Sequence, residues 1–112
     1  MELTPATMVE HLGRISKALD EQASTVEKLD QEFTAAKIAY KRDFARAFLS
    51  ADGSVDVRRY TAEIATQEQF AAMELSDQVL RAGRESLRVL RDRLDVGRSL
   101  GAIMRMEWSG SS

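Results

Sequence analysis

The sequence predicts an all-α fold, an antiparallel two-helix coiled-coil hairpin that oligomerises into a helical bundle, and three observations carry that prediction. The 112 residues are 44% hydrophobic and 30% charged but hold one Pro and six Gly, too little turn chemistry for a sandwich, a barrel or a βαβ fold. Apolar residues recur in steps that alternate four and three, the repeat of a coiled-coil seam. The first strong punctuation, Asp52-Gly53-Ser54, falls almost at mid-sequence, where an antiparallel hairpin needs its turn.

The first helix is expected to begin at about residue 5. Thr4 suits an N-cap, because its hydroxyl can accept a backbone N–H, and Pro5 suits the first helical position, where its missing donor would have had no partner. The seam then runs through Met8, Leu12, Ile15, Leu19, Gln22, Val26, Leu29, Phe33, Ala36 and Tyr40, with Gln22 its one polar member. After Tyr40 it slips to Phe44, Ala47 and Phe48, as a helix nearer 3.6 residues per turn requires.

At the turn, Gly53 suits a left-handed stop, Ser54 a new N-cap, and Asp56 the positive dipole end of the next helix. A second helix is expected from about Val55 to Trp108 through Val57, Tyr60, Ile64, Met73, Leu80, Leu87, Leu90, Leu94, Gly101, Met104 and Trp108, weaker between Thr66 and Ala72. Residues 1–108 thus form one helical domain with its turn near 51–55, and residues 109–112, Ser-Gly-Ser-Ser, read as a flexible tail. Net charge alternates acidic, basic, acidic, basic over residues 1–34, 35–50, 51–80 and 81–112, so folding back at Gly53 sets opposite signs side by side. Exposed pairs of this kind contribute about 0–1 kcal/mol each and speak to orientation more than to stability.

A two-helix hairpin leaves one flank of its seam open, and oligomerisation is the expected remedy. The second helix carries a further apolar line, Val79, Ala82, Val89, Val96, Leu100 and Ile103, off the Leu87-Leu90-Leu94 seam, and this line is the expected oligomer interface. Ala23, Ala35, Ala36 and Ala39, with Gly97 and Gly101, are candidates for close backbone approach.

The residue inventory excludes most enzymatic chemistry. There is no Cys and one His, His11, which removes thiol nucleophiles, disulfides, thiolate metal sites and imidazole pairs. Asp52, Ser54, Asp56 and Glu63 occupy positions 1, 3, 5 and 12 of an EF-hand count, but the sixth position is Val57 instead of Gly, and Arg58 and Arg59 follow, so an ordinary capped turn is expected. No catalytic residue, cofactor or metal ligand is expected, and the protein is read as non-enzymatic. No signal-like apolar run begins the sequence and none is long enough to span a bilayer, so the expected location is cytoplasmic.

Arginine is the most informative polar feature. Arg81, Arg84, Arg88 and Arg91 are spaced three, four and three, Arg98 and Arg105 follow on nearly the same stripe, and there is no Lys after Lys41. Guanidinium forks suit carboxylate or phosphate. The expected uses are pairing with the acidic first helix near Glu10, Asp20, Glu21 and Glu27, contact with a protein partner, or, as the lesser alternative, binding of nucleic acid. Glu85, Asp92 and Asp95 interrupt a continuous positive field. Phe33, Tyr40, Phe44 and Phe48 are expected in the core, and Trp108 caps the end of the hairpin or anchors a partner.

The stretches from Ala39 to Asp56 and from Leu94 to Ser99 resemble small helical proteins encoded by bacteriophages of actinobacteria, over about a fifth of the chain. That resemblance implies a phage accessory protein, by association one in DNA metabolism, acting by oligomerisation and protein contact or as a virion or scaffold component. Size and hairpin shape are also similar to the secreted hairpin proteins with a Trp-Xaa-Gly turn, from which this chain departs in having no Trp at its turn and Trp108 near its end.

Overall fold

A computed structural model describes residues 4–110, and among these every regular element is helical. The elements are α1 (Pro5–Ser50), α2 (Val55–Ala65) and α3 (Gln67–Gly110). They contribute to two compact units, one formed by Met1–Val26 with Gly83–Ser112 and the other by Glu27–Ala82.

In the first unit, α1 opens as its sequence requires. The Thr7 N–H donates to the Thr4 hydroxyl at 3.2 Å and the Thr4 N–H to the Thr7 hydroxyl at 2.9 Å, a reciprocal cap that satisfies two backbone donors at the helix start. Met8 and Ile15 are buried, and Leu12, Leu19, Gln22 and Val26 are half-buried. Opposite them, α3 buries Gly83, Leu87, Leu94, Gly97 and Gly101. Pairing within this unit is antiparallel: Gln22 reaches Gly83, Leu12 abuts Gly97, and Met8 lies beside Gly101. Gly97 lets the helices approach closely there: a Cβ on it would stand 2.5 Å from Leu12 Cδ2, so the Leu12 side chain would have to move aside. By contrast, Ala23 and Ala35, also candidates for close approach, are exposed.

In the second unit, Leu29, Phe33, Ala36, Tyr40, Phe44, Ala47 and Phe48 are half-buried, so the predicted α1 seam holds to its end. Tyr40 and Phe44 lie 6.0 Å apart between ring centroids, and Phe44 stacks on Phe48 at 6.5 Å. Tyr40 also meets Phe70 of α3 edge-on at 5.4 Å. The turn forms as expected, with Gly53 at φ +107° and Ser54 accepting the Val57 N–H at 3.2 Å. A feature the sequence did not announce is Arg58, whose Nε donates to the Ala51 carbonyl at 2.8 Å while its guanidinium lies 5.9 Å from the Phe48 ring centre. It satisfies a carbonyl left open where α1 ends.

The structure departs from four of these expectations. The stretch from Val55 to Trp108 is not one helix, because Thr66 interrupts it. Thr66 is buried, and both its hydroxyl, at 2.7 Å, and its N–H, at 3.1 Å, donate to the Ala62 carbonyl, with backbone at φ −116°, ψ 19°. A threonine that bonds back to the carbonyl four residues earlier bends a helix, and here it separates α2 from α3. The second departure concerns the seam of α2. Val57, Tyr60 and Ile64 are exposed, and the side that turns inward is Arg58, Ala62, Thr66, Gln69, Met73 and Ser76, continuing to Leu80. These residues keep the four-and-three spacing of Leu80, Leu87 and Leu94, and the small Ala62, Thr66 and Ser76 among them suit the bulky aromatics that α1 supplies to this unit. At the other end, Trp108 is exposed instead of seam-forming, and α3 includes Ser109 and Gly110, which the sequence assigns to a flexible tail. Ser111 and Ser112 lie outside the described residues.

Candidate interaction surface

Beside its seam, α3 presents a second apolar face in the first unit. Val96, Leu100 and Ile103 are 60%, 45% and 52% exposed, and Val89 is half-buried. They recur because 89, 96 and 103 are heptad repeats with 100 between them, which aligns them along one side of a helix. The face borders an open groove of about 410 Å³ lined by Met8 and His11 of α1 and by Val89, Asp92, Arg93, Val96, Gly97 and Leu100 of α3. Gly97, buried against Leu12, is the one lining residue without a side chain. The lining is mostly apolar, with Asp92, Arg93 and His11 as its polar members.

Of the expected interface residues, then, the structure brings Val89, Val96, Leu100 and Ile103 into one unit. Val79 and Ala82 are also exposed but belong to the other unit, where Leu75 is exposed as well. Val9, exposed on α1, and Met106, exposed on α3, extend the apolar surface of the first unit and were not singled out from the sequence.

The arginine stripe is exposed along its whole length. Arg81 pairs with Asp77 at 2.7 Å, and Arg88 with Glu85 and with Asp92, the latter at 2.9 Å. These carboxylates lie three or four residues away on α3 itself, so for Arg81 and Arg88 the acidic partners expected on the first helix are replaced by their own helix neighbours. Spacing could have identified them, since such pairs face each other on any helix. The hydrogen bond from Arg88, reinforced by its charge, holds the Glu85 carboxyl below the ordinary carboxylate range. Glu85 and Asp92 in turn raise the Arg88 guanidinium further above its already basic value. Arg84, Arg91, Arg98 and Arg105 complete the exposed stripe, and Trp108 is 57% exposed near the end of α3.

A second concavity, about 320 Å³, lies at the Thr66 break and is lined by Tyr40, Glu63, Thr66, Gln67 and Phe70. Its buried polar side chain, Thr66, is already satisfied by Ala62, and among the described residues no buried side-chain polar atom lacks a partner. No group of three or more His, Cys, Asp or Glu is placed to hold a metal among the described residues. Ser54 caps α2 in the loop that counts like an EF-hand. No described helix is long and apolar enough to cross a membrane. Comparison with family models, curated proteins and solved structures finds no match to the chain.

Proposed function

We propose that this protein works by contact and performs no catalysis: its helices pair as an antiparallel hairpin, hairpins associate through α3 into a bundle, and the assembly serves as an accessory or adaptor. The observation that carries the reading is the exposed row Val96, Leu100 and Ile103 beside the Gly97 groove. A helix with one face in an internal seam and a second apolar face in water calls for a second helical partner. Antiparallel pairing within the first unit, from Gln22 with Gly83 to Met8 with Gly101, supports the hairpin. The resemblance to actinobacteriophage proteins makes the setting a phage-encoded process.

Nucleic-acid binding is the weaker alternative, because Arg81 and Arg88 already hold Asp77, Glu85 and Asp92. Carboxylates within the stripe offset the gain from counterion release that phosphate binding depends on. Light scattering of the full chain at micromolar concentration tests the proposal. A stable species above 12.5 kDa that Val89→Asp and Ile103→Asp dissociate is the expected result, since each places a charge in an apolar interface. A monomer at every concentration sinks it, as does DNA retention at physiological salt that vanishes on replacing Arg84, Arg88 and Arg91 with Gln while fold and assembly persist.

A further inference from the structure

From the charges that bracket the exposed face of α3, we infer that it docks a second copy of this chain, antiparallel, about a two-fold axis passing beside Leu100. The inference rests on the self-association proposed above and adds its orientation and register. The apolar residues Val96, Leu100 and Ile103 are flanked on this side of the helix by Arg93 towards the start and Glu107 towards the end. Each lies seven residues, two helical turns, from Leu100, so the two charges stand about 21 Å apart and are placed symmetrically about it. The remaining carboxylates near the face, Glu85 and Asp92, are held by Arg88 on the same helix.

A parallel pairing in register would set Arg93 against Arg93 and Glu107 against Glu107. An antiparallel pairing centred on Leu100 sets each Arg93 beside the partner's Glu107, which makes two complementary pairs at the ends of an apolar middle. A two-fold arrangement is also closed, so it ends at a dimer of hairpins and does not propagate into a fibre.

The chain has no cysteine, so single replacements report geometry directly. Under mild oxidation, Leu100→Cys is expected to form a covalent dimer, because that residue meets its own copy at the axis. Val96→Cys and Ile103→Cys are expected to remain uncrosslinked, since antiparallel pairing carries their copies to opposite sides of the axis, beyond disulfide reach. Arg93→Glu and Glu107→Arg should each weaken dimerisation at least tenfold, and the double variant should recover most of that loss, with helicity by circular dichroism unchanged throughout. Equal cross-linking at all three positions, or a double variant no better than the singles, overturns the antiparallel register while leaving self-association standing. A chain that stays monomeric in every variant, the unaltered sequence included, defeats both.

Discussion

The Gln22 side-chain amide donates to the backbone carbonyl of Gly83 at 3.1 Å, joining residues 61 positions apart. Gln22 is the one polar residue in an otherwise apolar stretch of the α1 seam, and the bond is possible because Gly83 brings bare backbone to that level. A polar contact inside an apolar seam gives up some stability and selects one register out of several. Gln22→Ala should therefore lower stability by about 1 kcal/mol in chemical denaturation. Gln22→Leu should raise the melting temperature while broadening the distribution of species in sedimentation velocity; a more stable variant that keeps a single species would show that register is fixed elsewhere.

Two glycines within helices should respond oppositely to alanine. Gly13 is exposed, and a Cβ there meets nothing within 4 Å, so Gly13→Ala should stabilise by about 1 kcal/mol through helix propensity alone. At Gly97 the same gain is opposed by the clash with Leu12, and overpacking of this kind costs about 1–3 kcal/mol. Gly97→Ala should be destabilising on balance and Gly97→Val more so. Shortening the neighbour in Leu12→Ala should make Gly97→Ala better tolerated, which a double-mutant cycle would register.

Arg58 holds the turn from the α2 side. Arg58→Ala removes the bond to Ala51 and the stacking on Phe48, and should cost about 1–2 kcal/mol. Lysine has no Nε–H fork and should recover little of it. Amide exchange near Ala51 and Phe48 should accelerate in both variants, and unaltered protection there would argue against the clamp.

Acid should act on the pair formed by Glu85 and Arg88. Because the folded carboxyl titrates below its ordinary value, the contribution of the pair is present above the ordinary carboxylate value and is lost as pH falls through the lower, folded one. Both groups face water, so the effect is small and salt should screen it. An NMR titration should find Glu85 below the ordinary range and Arg88→Gln should return it there; no change on that substitution would rule out the pairing in solution.

The α1 seam was readable from the sequence because each member from Met8 to Tyr40 except Gln22 is apolar and the steps never break. In α3, Leu80, Leu87, Leu90 and Leu94 were readable for the same reason. The inner face of α2 was not, since hydrophobicity draws the eye to Val57, Tyr60 and Ile64. Register decides instead: stepping back from Leu80 by four and three lands on Met73, apolar and expected, but also on Ser76, Gln69, Thr66 and Ala62, small or polar residues that pattern alone would assign to water. The break at Thr66 was equally hidden, because threonine is common in helices and only its burial turns its hydroxyl onto Ala62. For the candidate surface, the sequence separated a second apolar line from the seam, but it did not reveal that Gly97 lines a groove or that Val79 and Ala82 fall in a different unit from Val96.

The Gly53 turn also orders events in time. Contacts of Arg58 with Ala51, of Gln69 with Asp43 and of Gln22 with Gly83 span 7, 26 and 61 positions. Each closure shortens the loop that the next must close, so the cheapest route to the native state starts at the turn and zips outward. Opening retraces that path from the contacts most distant in sequence, such as Met8 beside Gly101. The apolar row around Leu100 therefore belongs to the last part of the chain to fold and the first to fray. A partner docked there would act as a clasp on the pairing of α1 with α3 in the first unit, and its departure would expose that unit to proteases before any loss of structure near Gly53.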